Sequence, residues 1–260
     1  MSTASTRFTI DGAVASFAFT RPETRNALTW EMYDALVAAC DRVDADHDIR
    51  VFVLKGHRTA FASGTDISQF SGWSTRDDAL GYEKRLDAVI DRVEAVAVAT
   101  IAQVEGVAAG GGCAIAMACD LRVCTPHARF GVPVARTLGN CLSATNYTRL
   151  LELVGPALCK DLMFTGRLLD AAEAQRAGLV SRLVDADGVD AAVAELAGTV
   201  ARNAPLTIRA TKEAVRRILR SQRLNRDAFD DLVAACYTSE DFRNAVASFL
   251  AKQPAVFKGR

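Results

Sequence analysis

Between Thr100 and Asp120 the chain passes through a β-prone run, a turn at Gly106, three consecutive glycines at 110–112 and a segment of small apolar residues. Glycine leaves the backbone open to a ligand because no Cβ stands in the way. A glycine run that feeds a helix gathers unpaired N–H groups and the positive end of the helix dipole at one point. Such a point holds an anion, or an oxygen that becomes anionic during a reaction. From Val107 to Cys119 no side chain is charged, which predicts a helix without a solvent face. A phosphate-cradling loop would require Gly-Lys-Ser/Thr after the first glycine, and the dinucleotide fingerprint would require a third glycine at its own spacing; neither is present. Glu105 and Asp120 also enclose fewer than the ~20 apolar residues of a membrane span. On this stretch alone, tight helix packing without chemistry explains the glycines equally well.

A second stretch, Ala60-Phe61-Ala62-Ser63-Gly64-Thr65-Asp66-Ile67, repeats the pattern of a glycine turn opening a helix. Two helix starts, each with a free N–H, are what an oxyanion hole built from two backbone donors requires.

The elements that must position these turns read as follows. Ala13 to Thr20 is a strand, the second arm of a hairpin turning at Asp11-Gly12. After the loop Arg21 to Leu28, Thr29 caps a helix whose apolar face carries Met32, Leu36, Val37, Cys40 and Val43. Val51 to Leu54 is a short buried strand, Gly56 to Gly64 a loop, and Thr65 to Phe70 a short helix. Ser71 to Thr75 is a second loop, and a long helix runs from it to about Glu94. Strands follow at about Thr100 and at Leu121 to Cys124. Asp170 with Glu173 forms a capping box, Gly178 ends that helix, and Val180 to Val184 is the last strand. Helices then cover about 191–202, 205–219, 224–237 and 241–252. Strands alternating with helices predict an α/β core, and the tail a helical appendage.

Composition narrows the function classes. The 260 residues are half apolar, enough for a substantial core, and 31 Lys plus Arg balance 31 Asp plus Glu. The neutral balance supplies no basic field for nucleic acid. Met1 to Thr9 shows no secretory pattern, and seven scattered cysteines without a Cys-x-x-Cys pair suit a reducing, cytoplasmic setting. His47, His57 and His127 are too far apart for a local metal motif, so no metal is expected.

Together with the loop Arg25-Asn26-Ala27-Leu28, the two glycine turns resemble the crotonase superfamily, the enoyl-CoA hydratase/isomerase family. Arg129-Phe130-Gly131-Val132-Pro133, Phe164-Thr165-Gly166-Arg167, Ala172-Glu173-Ala174 with Gly178-Leu179-Val180, Ser239-Glu240-Asp241-Phe242 and Phe249-Leu250-Ala251-Lys252 follow in that family's order. The resemblance extends over roughly Phe8 to Phe257. It implies an α/β spiral of β-β-α turns over residues 1–190 and a helical trimerisation region over 191–260. It implies an acyl-CoA thioester as substrate, no cofactor besides that CoA, a homotrimer or a dimer of trimers, and no membrane or nucleic-acid partner. The shared step is stabilisation of an enolate-like thioester oxygen by two amides, which map to Thr65 and Gly111. Contacts to CoA map to Arg25, Asn26, Ala27, Ala60, Ala62, Asp66 and Ile67, with Phe249 and Lys252 reaching it from the same or a neighbouring subunit.

One departure bears on the reaction. The two glutamates that hydratases of this family use map to Ala114 and Val134, so both carboxylates are missing. General acids and bases contribute roughly 10²–10⁴-fold each, which leaves hydration by the usual route doubtful. Double-bond migration, decarboxylation, hydration by substitute groups and acyl-CoA binding without catalysis are the alternatives. The pocket is expected to include Trp73, Ala114, Val134 and Leu138, with Asn140 or Cys141 as substitute proton donors. Glu105 is a weak candidate, the Trp73 loop with Tyr82 and Glu83 on the long helix is a further candidate group in which Glu83 otherwise reads as a solvated helix charge, and His57 reads as exposed.

Overall fold

The computed structural model describes residues 5–71, 73 and 75–260. The hairpin forms as expected: β1 (Thr6–Asp11) and β2 (Val14–Phe19) pair antiparallel across Asp11-Gly12. Helix α1 (Trp30–Ala45) follows Thr29 and buries Met32, Tyr33, Leu36, Cys40 and Val43. The chain then winds through three similar turns. β3 (Val51–Lys55) is followed by β4 (Ala60–Ala62) and α2 (Arg76–Glu94). β5 (Ala99–Val104) is followed by β6 (Val107–Ala109) and α3 (Gly111–Ala118). β7 (Leu121–Cys124) is followed by β8 (Arg129–Gly131), the single-turn α4 (Val134–Thr137) and α5 (Ala144–Thr165), which kinks at Gly155-Pro156. β9 (Leu169–Asp170), α6 (Ala171–Arg176) and β10 (Arg182–Leu183) close the core.

Each turn places its first strand in one sheet and its second in another. The larger sheet has the order β1-β2-β3-β5-β7-β10, parallel from β2 onward; the smaller has the order β4-β6-β8-β9, with β4, β6 and β8 parallel. This is an α/β spiral of ββα turns. The strands of the smaller sheet have only two or three residues each: β4 lies within the expected loop 56–64, β6 at the start of the uncharged stretch expected as a buried helix, and β8 in a segment to which the sequence assigns no element. They are too short to show a period of two.

The uncharged segment behaves as expected: every residue of α3 is buried. Gly112 is required there, because a Cβ would fall on the Ala62 carbonyl, and β4 could not lie so close to α3.

The C-terminal part comprises α7 (Val189–Arg202), α8 (Pro205–Gln222), α9 (Asp230–Tyr237) and α10 (Glu240–Leu250). It is not a detached appendage. Val233, Tyr237, Phe242 and Val246 belong to the same core as α2 and α3. Val193, Leu196 and Ala197 of α7 cover Val51, Val53, Ile101 and Val123 of the larger sheet. Only α8 has no buried residue, and its Leu206, Val215 and Ile218 are exposed.

Candidate active site

β4 and β6 are parallel neighbours, so their C-terminal ends emerge side by side. One end delivers Ser63-Gly64-Thr65, the other Gly110-Gly111. Ligands of parallel sheets gather at this kind of edge. The Leu28 amide donates to the Gly64 carbonyl at 2.8 Å and the Asp66 amide to the Leu28 carbonyl at 2.8 Å. Both bonds leave the extended Thr65 segment on one side, so the intervening Thr65 N–H points to the other. Gly110, with φ of 50°, turns the second strand end into α3 and leaves Gly111 as its first residue. Among the described residues, neither the Thr65 nor the Gly111 amide donates to a protein acceptor. A Cβ built on Gly111 would stand 3.4 Å from Thr65 Oγ1, so the two turns are in direct contact.

Both turns open onto one cavity of about 150 Å³, which Ala114, Val134 and Leu138 also line. A larger cavity of about 560 Å³ lies between the C-terminal end of α3, α5 and the uncovered α8. It contains neither amide, so the smaller cavity is the candidate site. Thr65 is fixed by aromatic hydroxyls: its Oγ1 shares hydrogen bonds with Tyr33 at 2.8 Å and Tyr82 at 2.7 Å.

Of the two readings the sequence left for Glu83, the structure excludes the solvated one. It is not a solvated helix charge but is 5 % exposed and lines the same cavity. The Tyr237 hydroxyl donates to Glu83 Oε1, and the Ser143 amide donates to Oε2 at 3.2 Å. Asn140 Nδ2 in turn donates to the Tyr237 hydroxyl at 2.9 Å. Burial pushes the Glu83 carboxyl up to about 8; the Tyr237 hydrogen bond opposes that rise and the nearby Asp87 carboxyl adds to it. One signal in the sequence marks the position. Ala79, Leu86, Val89, Ile90 and Val93 form the buried stripe of α2, and Glu83 falls in its register.

Asn140 lines the cavity, whereas Cys141 stands beside it against Cys236, and that contact together with burial drives the Cys141 thiol far above its ordinary value. A thiol so held is a poor proton donor. Trp73 does not line the cavity either; its ring packs edge-on against Phe70 and Tyr82. Glu105 is outside it as well, accepting from Gln103 Nε2 at 3.1 Å. His57 is exposed.

The residues mapped to CoA divide into three groups. Ala60 and Ala62 are fully buried, and the Asn26 side chain is buried and bonds the Ala60 and Phe61 carbonyls at 2.9 and 3.2 Å. Arg21 Nη1 ties the Ala27 carbonyl at 3.0 Å to Asp66 at 2.8 Å, while Asp66 caps the turn that begins at Ile67. Arg25 and Lys252 are exposed with φ of 54° and 56°, and Phe249 is at the cavity mouth, half-exposed. Among the described residues, no group of three His, Cys, Asp or Glu side chains is arranged to hold a metal ion. No described helix is long and apolar enough to cross a membrane.

Two sheets wound in ββα turns, with paired free amides at the ends of β4 and β6, define a crotonase-type protein. The sequence matches the enoyl-CoA hydratase/isomerase family over residues 9–260, and the chain belongs to that family. It is 33% identical over 251 residues to a probable enoyl-CoA hydratase, echA8, of Mycobacterium bovis, covering 96% of each chain. It is 31% identical to a short-chain-enoyl-CoA hydratase of Clostridium acetobutylicum, over 94% of this chain and 93% of that one. Among solved structures it is similar to a methylmalonyl-CoA decarboxylase in complex with 2-nitronate-propionyl-CoA, with 25% identity, a TM-score of 0.90 and 98% of each chain covered. An enoyl-CoA hydratase/carnithine racemase from Magnetospirillum magneticum has 30% identity and a TM-score of 0.80, over 100% of this chain and 97% of that one.

Proposed function

We propose that the protein is an acyl-CoA-processing enzyme that forms a thioester enolate and holds its oxygen with the Thr65 and Gly111 amides. The observation that carries this reading is the pair of unpartnered amides facing one apolar cavity. A donor aimed at a developing oxyanion contributes about 2.7–4 kcal/mol in a site of this kind. With Ala and Val at 114 and 134, the reaction is one that a single proton-carrying group can serve, rather than one that needs water activated by two carboxylates. Double-bond migration fits that requirement. Decarboxylation is the second reading, favoured by the 0.90 TM-score to a methylmalonyl-CoA decarboxylase, because loss of CO₂ generates the enolate without a base. The narrow cavity favours a short acyl chain. The step as proposed draws on no group beyond the chain and its thioester.

Exposed Leu206, Val215 and Ile218 on α8 support assembly through that helix, as a homotrimer or dimer of trimers. Seven free cysteines fit the cytoplasm. The test of the activity is a mass-spectrometric screen against short-chain enoyl-, β,γ-enoyl- and carboxyacyl-CoA thioesters. Turnover of at least one is expected. Tight binding of the panel with no turnover would instead make the protein an acyl-CoA-binding scaffold.

A further inference from the structure

Among the described residues, Glu83 is the one carboxyl-bearing residue on the wall of the cavity, and no Lys, Arg or His lines it. A buried glutamate with no cationic partner is costly to ionise and is uncommon without a role. It does not serve merely to tie elements together, because its two protein donors, the Tyr237 hydroxyl and the Ser143 amide, leave further lone pairs of the carboxylate unused. The helix that carries it also carries Tyr82, whose hydroxyl bonds Thr65 Oγ1 at 2.7 Å, so Glu83 is one residue from a group that fixes the first amide turn.

We propose that Glu83 performs the proton transfer at the acyl chain, in the role left vacant by Ala114 and Val134, and that Tyr237 is its positioning residue. This inference rests on the enolate reading above. In the forward step a Glu83 carboxylate oxygen takes the proton from the α-carbon. The C–H electron pair becomes the enolate C=C, and the thioester oxygen takes the negative charge between the two amides. Glu83, now protonated, returns that proton to the α-carbon, giving exchange, or to the γ-carbon of an unsaturated chain, giving the isomer. Atoms and charge balance with no further reactant.

Several titratable groups face Glu83, and Cys236, next to Tyr237 and in contact with Cys141, is itself lowered to about 7 by that contact. Asp87 follows it on α2, Tyr82 precedes it, Tyr33 faces it from α1, Tyr237 from α9, Tyr147 from α5, and Cys141 from the preceding loop. Burial raises all three of Tyr33, Tyr82 and Tyr237, and they stay neutral.

The experiment is α-hydrogen exchange of butyryl-CoA in D₂O, followed by mass spectrometry, with thioester binding measured in parallel by calorimetry. Wild type is expected to incorporate deuterium at a rate that climbs with pH and levels off above about 8. Glu83→Gln is expected to lose at least about 100-fold in rate with binding kept within a few-fold. Tyr237→Phe removes a hydrogen bond that favours the carboxylate, so its profile should move to higher pH while the plateau stays near wild type. A purely structural Tyr237 would not move the profile, which keeps the proposal testable if the Gln variant does not fold. An active wild type with Glu83→Gln at full rate, or with an unmoved Tyr237→Phe profile, overturns the role of Glu83 and leaves the enolate reading standing. A wild type that binds butyryl-CoA and neither exchanges nor turns over any thioester overturns the enolate reading itself.

Discussion

At the scale of single residues, two main-chain N–H groups and the carboxylates missing around them decide the chemistry proposed for this site. Gly111→Pro deletes one donor and is expected to lower any turnover by at least about 100-fold; an unchanged kcat in that variant would remove Gly111 from the site. Ala114→Glu combined with Val134→Glu restores both absent carboxylates, and crotonyl-CoA hydration should rise by about 100-fold or more over wild type. No gain would show that the wall differs in shape as well as in charge. The proton-transfer role of Glu83 also separates the two candidate reactions. Isomerisation begins with the carboxylate and should quicken as pH rises through about 8. Decarboxylation ends by protonating an enolate and should slow over the same range. The amide pair was legible in the sequence because glycine patterns report backbone geometry directly. Glu83 was legible only as one member of a further candidate group, because a glutamate on a long helix is ordinarily solvated. Its register with Leu86 and Ile90 becomes informative only once it is known that α9 covers that face.

At the scale of elements, an apolar face marked α1, an uncharged stretch α3 and a capping box α6 in the sequence, while Thr29, read as the cap of α1, stands at the N-cap position without a side-chain hydrogen bond. The Thr75–Asp78 box opens α2, with the Asp78 amide donating to Thr75 Oγ1 at 3.1 Å. Thr75→Ala should cost about 1 kcal/mol of stability in denaturant unfolding; a cost near zero would mean that tertiary packing alone sets the start of α2. The strands of the smaller sheet were hidden because two or three residues carry no periodicity. They are nonetheless what brings Thr65 beside Gly111, since parallel pairing of β4 with β6 aligns their ends. The expected helix over 224–237 is instead a short 3₁₀ turn, Arg226–Phe229, followed by α9. Tyr237, the last residue of α9, reaches back to Glu83.

At the scale of the whole molecule, a buried ion-pair cluster joins α2 to α5 and, through Arg223, ties the C-terminal part to both. Arg149 of α5 is buried and pairs with Glu94 at 2.8 Å and with Asp91, while Arg223 pairs with Glu94 at 2.9 Å and Glu152 at 2.7 Å. Burial alone would raise the Glu94 carboxyl, but Arg223 and Arg149 outweigh it and hold the group down at about 2. Because the folded value is depressed, Glu94 contributes stability that is complete above its ordinary value of 4.5 and is lost as pH falls toward about 2. Glu83 has the opposite sign. Its folded value is raised, so its contribution weakens as pH rises from the ordinary carboxylate range to about 8. Thermal unfolding should therefore show Glu94→Gln losing stability relative to wild type mainly above pH 5, and Glu83→Gln gaining stability relative to wild type at pH 8 and above. Equal differences at every pH would contradict both assignments.

The most direct measurement is a crystal structure with a slowly turned-over short-chain acyl-CoA bound. The thioester oxygen is expected within about 2.7–3.1 Å of both the Thr65 and Gly111 nitrogens, with the acyl chain running past Ala114 and Val134. A thioester seated in that cavity with its oxygen bonded to neither amide would contradict the two-amide hole.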